Sequence, residues 1–101
     1  AIVVNEHEPL LCSDFEAILE RLVPRSLVYA HDDMPRRIGV PADEPPNGYA
    51  HCRALLLPSS ASLNIVEGRL ALGRWQRIFL VELDGPRARE LSVVFLGNAA
   101  R

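Results

Sequence analysis

Three clusters of polar side chains hold the residue types from which a reactive or binding site could be built. The first is Asn5-Glu6-His7-Glu8, set between the apolar run Ala1-Ile2-Val3-Val4 and a helical pattern, where loops leaving a sheet commonly place ligand groups. Helix capping accounts for the same residues, because carboxylates are favourable beside the positive end of a helix. The second cluster joins His31-Asp32-Asp33 to His51-Cys52. Imidazole, thiolate and carboxylate can ligate Zn²⁺, and carboxylates can hold a phosphate-bridging Mg²⁺, although the spacing follows no defined metal motif. Cys52 as a small buried hydrophobe and Asp32-Asp33 as a solvated turn explain these residues equally well. A Cys-His nucleophile is disfavoured, since neighbours on a helix point about 100° apart. The third cluster is Glu82, Asp84, Arg87 and Arg89, around the turn Asp84-Gly85-Pro86-Arg87. The planar fork of Arg can clamp a phosphate or carboxylate, and a surface hairpin laced with ion pairs is the alternative.

These groups need elements to position them. Leu10, Leu11, Phe15, Ile18, Leu19 and Leu22 share one helical face, and Pro9 suits a first helical position, which predicts an α-helix from Pro9 to near Pro24. Residues 25–48, with Pro35, Pro41, Pro45 and Pro46 among four acidic residues, read as a long loop. Asn47 is placed to cap a second helix from Tyr49 to Leu57, stopped by Pro58. Four segments then follow with strand character: 60–66, 69–72, 75–83 and 89–96, broken at Glu67-Gly68, Gly73 and Asp84-Gly85-Pro86. They predict an antiparallel meander. Both faces of segment 75–83 are largely apolar, which predicts a central strand covered by helices on one side and by sheet or a partner subunit on the other.

The chain has 101 residues, of which 49% are hydrophobic and 24% charged, and its formal net charge is −2. That balance predicts one soluble domain over residues 1–101, and it disfavours nucleic acid as a partner. No run reaches the roughly 20 apolar residues of a membrane span, so a cytoplasmic location is expected. All eleven basic residues are Arg, so Lys cannot supply a Schiff base. Cys12 and Cys52 are expected to be reduced thiols. The apolar start at Ala1, with no initiator Met, leads us to expect a fragment.

Read together, several stretches resemble the YjbQ-like family, small bacterial and archaeal proteins described as secondary thiamine-phosphate synthases. Val4-Asn5-Glu6 before a helix is similar to the family's strand-to-helix segment. Asp32-Asp33-Met34-Pro35 and the stretch from Asn47-Gly48-Tyr49-Ala50-His51-Cys52 to Leu56 resemble its loop and helix. The most specific match runs from Ser60 to Ile78, in the spacing of Ser, Gly68, Gly73 and Trp75-Gln76, and Asp84-Gly85-Pro86-Arg87 adds a further agreement. The family usually has Gly at the position of Pro58, Thr at Arg74 and often His at Tyr49, which leaves one polar ligand fewer here. Relatives extend further at the N-terminus, with a His-Thr-Ser/Thr-Ala motif directly before the position of Ala1.

The resemblance implies an α+β fold with an antiparallel β-sandwich-like core and two helices, its N-terminal strands missing from this chain. It also implies a homotrimer with a polar pocket near the subunit contacts. The implied activity joins a hydroxymethylpyrimidine diphosphate to a thiazole phosphate, and a divalent metal, Mg²⁺ or Zn²⁺, belongs to that expectation. By this route His51, Glu6 and Asp33 are the catalytic candidates, Asn5 and Asn47 orient substrate, and Arg87 contacts phosphate. His51 and Cys52 are the candidate metal ligands. The alternative is a trimeric small-molecule- or metal-binding protein without turnover.

Overall fold

Leu11, Phe15 and Leu19 recur at helical spacing, and in the computed structural model, which describes residues 1–98, they lie along α1 (Pro9–Leu22). Pro9 takes the first position, where its missing N–H costs nothing. Glu8 caps the helix: its two carboxylate oxygens accept from the N–H groups of Leu10 at 2.9 Å and Leu11 at 2.7 Å. The capping alternative for the first polar cluster is thus realised at Glu8.

The apolar N-terminal run forms β1 (Ile2–Glu6), so Asn5 and Glu6 are strand residues rather than a loop. Hairpin strands β2 (Ile65–Val66) and β3 (Arg69–Leu70) pair antiparallel across Glu67 and Gly68. Both turn residues have positive φ, 51° and 76°, the backbone that a two-residue hairpin turn of primed type demands. The last strand, β4 (Gln76–Leu80), runs antiparallel to β1 in the register Ile2↔Leu80 to Glu6↔Gln76. The ladder continues at both ends, through Val81 N–H to Ala1 O at 2.8 Å and His7 N–H to Trp75 O at 3.0 Å.

The architecture is therefore α+β, with two helices and small antiparallel sheets. The expected four-segment meander does not form. Gln76 Oε1 accepts from Gly73 N–H at 2.7 Å and Gln76 N–H donates to Gly73 O at 3.1 Å, a tight turn that separates β4 from β3. β4 consequently pairs with β1, and among the described residues it has that single neighbour rather than the central place expected. Beyond it the left-handed Gly85 and the donorless Pro86 interrupt the strand path, and residues 89–96 form no strand among the described residues. Leu91, Val93, Val94, Phe95 and Leu96 are exposed. Strand propensity without a partner ladder does not make a strand.

The loop between the helices carries two short 3₁₀ turns, Ala30–Asp32 and Met34–Arg36. It leads into α2 (Gly48–Ala54), which ends three residues before the expected stop. Asn47 stands at the N-cap position but makes no side-chain cap; Asp32 takes over, its Oδ1 accepting from Gly48 N–H at 2.9 Å. A Cβ at residue 48 would sit 2.6 Å from Tyr29 Cβ, so this approach requires glycine. Arg53, 8% exposed, ties α2 to the end of α1: Nε donates to Val23 O at 3.1 Å and Nη2 to Glu20 Oε2 at 2.6 Å. Its guanidinium also lies over the Tyr49 ring, which Arg25 covers at 4.7 Å.

Leu19 and Ala50 are the buried apolar residues of the described chain. The Cα radius of gyration is 17.8 Å, against about 13 Å for a compact domain of this length, which leaves apolar faces such as Ile78 and Leu80 of β4 uncovered. Among the described residues no helix is long and apolar enough to cross a membrane.

Candidate functional site

Where β4 ends, the chain runs past α2 and the two enclose a cleft of about 230 Å³. His51 lines it from the helix, and Glu82, Asp84, Arg87 and Arg89 line it from the strand end and the following turn. The turn folds back because Gly85 adopts φ 84°. Asp84 then accepts two bonds on one oxygen, from Arg87 Nη2 at 2.5 Å and from Asn47 Nδ2 at 2.6 Å. Glu82 and Arg89 form a two-point pair, Nε to Oε1 at 3.1 Å and Nη2 to Oε2 at 2.8 Å. The hydrogen bonds from Arg89 hold the Glu82 carboxyl below its ordinary range and raise the Arg89 guanidinium in return.

Two buried polar atoms near this cleft have no hydrogen-bond partner among the described residues: Asn47 Oδ1 and His31 Nε2. Asn47 is 3% exposed, and a buried acceptor left without a donor costs about 1–3 kcal/mol. The His31 ring meets His51 edge to face, with centroids 4.7 Å apart. Cys52, next along α2, lies beside Tyr29 instead. Burial pushes the Tyr29 phenol up and Cys52 adds to the shift, while the hydroxyl donates to Pro24 O at 2.6 Å.

The structure brings together only part of the expected site. His51 and Arg87 share the cleft, and Asn47 reaches it through Asp84. Glu6 and Asn5 line a second groove of about 370 Å³ with Cys12, Phe15 and Phe79, which runs along the β1–β4 pair to Val81 and Glu82, where it adjoins the cleft. Five strand residues span about 17 Å, so Glu6 stands on that order from the cleft that begins at Ala1. Asn5 Oδ1 accepts from Glu6 N–H at 2.8 Å, and Asp33 pairs with Arg36 at 3.6 Å. Among the described residues no three His, Cys, Asp or Glu side chains converge to hold a metal ion. His51 and Cys52 have no third such side chain beside them among the described residues. Glu82, Asp84 and Arg89 were visible as a charged turn, but the sequence held no signal that this turn faces His51.

Fold and cleft together define a small α+β domain whose helix and strand-end turn enclose a pocket of paired guanidiniums and carboxylates. Residues 1–98 match the protein family described as UPF0047 protein YjbQ-like. The chain is 39% identical over 98 residues to a UPF0047 protein of Methanothermobacter thermautotrophicus, covering 97% of this chain and 62% of that protein. It is 42% identical over 93 residues to a UPF0047 protein of Archaeoglobus fulgidus, covering 92% of this chain and 66% of that one. A UPF0047 protein of Methanocaldococcus jannaschii is 32% identical over 98 residues, with coverage of 96% and 62%. The chain belongs to the YjbQ-like UPF0047 family, and it spans a little under two thirds of the length of these relatives.

Proposed function

We propose that this domain binds a small phosphorylated metabolite in the cleft between α2 and the 82–89 segment. One observation carries the reading: residues far apart in sequence, His51 on one side and Arg87 and Arg89 on the other, line a single pocket. Guanidinium groups present fixed planar donors that match phosphate oxygens, and a neutral imidazole can donate or accept one proton beside them. Arg87 spends only Nη2 on Asp84, which leaves its remaining N–H groups for a ligand.

The reaction implied by the family resemblance forms a C–N bond from the thiazole nitrogen to the pyrimidine methylene carbon. It breaks the C–O bond to the diphosphate, which leaves as pyrophosphate. In that reaction Arg87 and Arg89 receive the charge developing on the departing oxygens, and a diphosphate delivered as its Mg²⁺ salt brings its own counter-ion. The cleft volume favours the second reading, binding without turnover. About 230 Å³ is below the roughly 300–1,000 Å³ of pockets that enclose a drug-sized ligand, so it has room for one phosphate-bearing group rather than two substrates together. The uncovered apolar faces of β4 and of residues 91–96 support assembly with further copies, a homotrimer by the resemblance, and a cytoplasmic protein fits the same reading.

Calorimetric titration with pyrophosphate tests the site. Binding is expected to weaken at least tenfold in Arg87→Ala, and unchanged affinity overturns the proposal. Incubation with both substrates and Mg²⁺ separates the readings: thiamine phosphate formed establishes the synthase, and binding without product establishes the second.

A further inference from the structure

The cleft is not a simple anion hole. Two guanidiniums line it, and each is already matched to a carboxylate: Arg87 to Asp84, and Arg89 to Glu82 at two points. The four side chains therefore bring no net charge, and a multiply charged anion entering alone meets two carboxylates as well as two arginines. The pairs also differ. Glu82 spends both oxygens on Arg89, whereas Asp84 takes Arg87 and Asn47 on the same oxygen, Oδ2. Its Oδ1 makes no hydrogen bond among the described residues, and the side chain is only 16% exposed.

Asn47, 3% exposed, holds Asp84 in place from the N-terminal side of α2. The cleft thus offers an acceptor of fixed position, Asp84 Oδ1, close beside the free donors of Arg87. Such a pair recognises a molecule bearing a cation and an anion on one short skeleton, because each end finds its complement and neither ion pair has to be broken.

Building on the phosphate-binding reading, we infer that the ligand of this cleft is zwitterionic: a small phosphomonoester that also carries a cationic nitrogen, with phosphate on Arg87 and the nitrogen on Asp84. The test compares two probes of nearly equal size, O-phosphoethanolamine and ethyl phosphate, which differ by the ammonium group. Titrated into the protein, O-phosphoethanolamine is expected to bind at least tenfold more tightly. In Asp84→Asn, which keeps the side-chain shape, that preference should collapse towards unity as ethyl phosphate gains. If Asp84→Asn fails to fold, the unaltered protein is titrated with N-acetyl-O-phosphoethanolamine, which keeps the skeleton and removes the positive charge: binding at least tenfold weaker than O-phosphoethanolamine is expected, and equal binding overturns the inference. Equal or tighter binding of ethyl phosphate by the unaltered protein overturns the zwitterion inference and leaves the phosphate site standing. Binding of neither probe overturns both.

Discussion

Arg53→Met is the substitution that most directly tests how the site is held in place. Arg53 fastens α2, and with it His51, to the end of α1, and Met keeps most of the apolar stem while removing every donor. Two bonds are lost. The bond from Nε to Val23 O has a charged donor and a carbonyl acceptor under a residue 8% exposed, worth about 1.5–3 kcal/mol. The bond to Glu20 is short at 2.6 Å, but the Glu20 side chain is 54% exposed, so solvent screening limits it to about 0.5–1 kcal/mol. The sum is about 2–4 kcal/mol, a large share of the roughly 5–15 kcal/mol that holds a domain of this size. With a urea slope near 1.5 kcal/mol/M the unfolding midpoint should fall by about 1.3–2.7 M. Glu20→Gln, read in the same assay, should cost less than about 1 kcal/mol. A midpoint for Arg53→Met within about 0.3 M of the parent refutes the reasoning. So does a Glu20→Gln loss as large as that of Arg53→Met, because the exposed ion pair would then outweigh the buried carbonyl bond.

Two further outcomes follow from the geometry. Because Arg89 depresses the folded-state Glu82 carboxyl, the stability this pair contributes is fully present above the ordinary Glu range and is lost as pH falls through the lowered folded value. Urea midpoints measured across acid pH should show that decline, and Arg89→Gln should flatten it. Glu67 sits at φ 51° in the hairpin turn, and Glu67→Asn, whose side chain tolerates that backbone, should stabilise the protein by about 0.5–1 kcal/mol in thermal melts.

Local signals in the sequence suffice where the deciding physics is local. The Leu11, Phe15 and Leu19 spacing and Pro9 placed α1 at its true start, because periodicity and the missing proline N–H act within one helical turn. Glu67-Gly68 marked the β2–β3 turn for the same reason. The failures lie where distant partners decide. Segment 75–83 has the alternation of a strand, but nothing in it reveals that its neighbour is Ile2–Glu6 rather than the adjoining segments. Asn47 stands at the cap position, but its side chain is oriented by donating Nδ2 to Asp84, its Oδ1 accepts nothing among the described residues, and Asp32 accepts from Gly48 N–H in its place. The candidate site divided likewise: His51 and Arg87 converge, whereas Glu6 belongs to the other end of β1 because strand pairing carries it there.

The pairing of β1 with β4 also sets a timetable for synthesis. Glu6 must wait for Gln76, so a ribosome adding about 5–20 residues per second leaves the apolar first strand without its partner for roughly 4–15 s. During that interval α1 can form and the loop can turn, but the cleft cannot exist, since its wall from Leu80 to Arg89 is not yet made. The apolar segment Ile2–Val4 is therefore the stretch exposed to association with other chains until β4 is made.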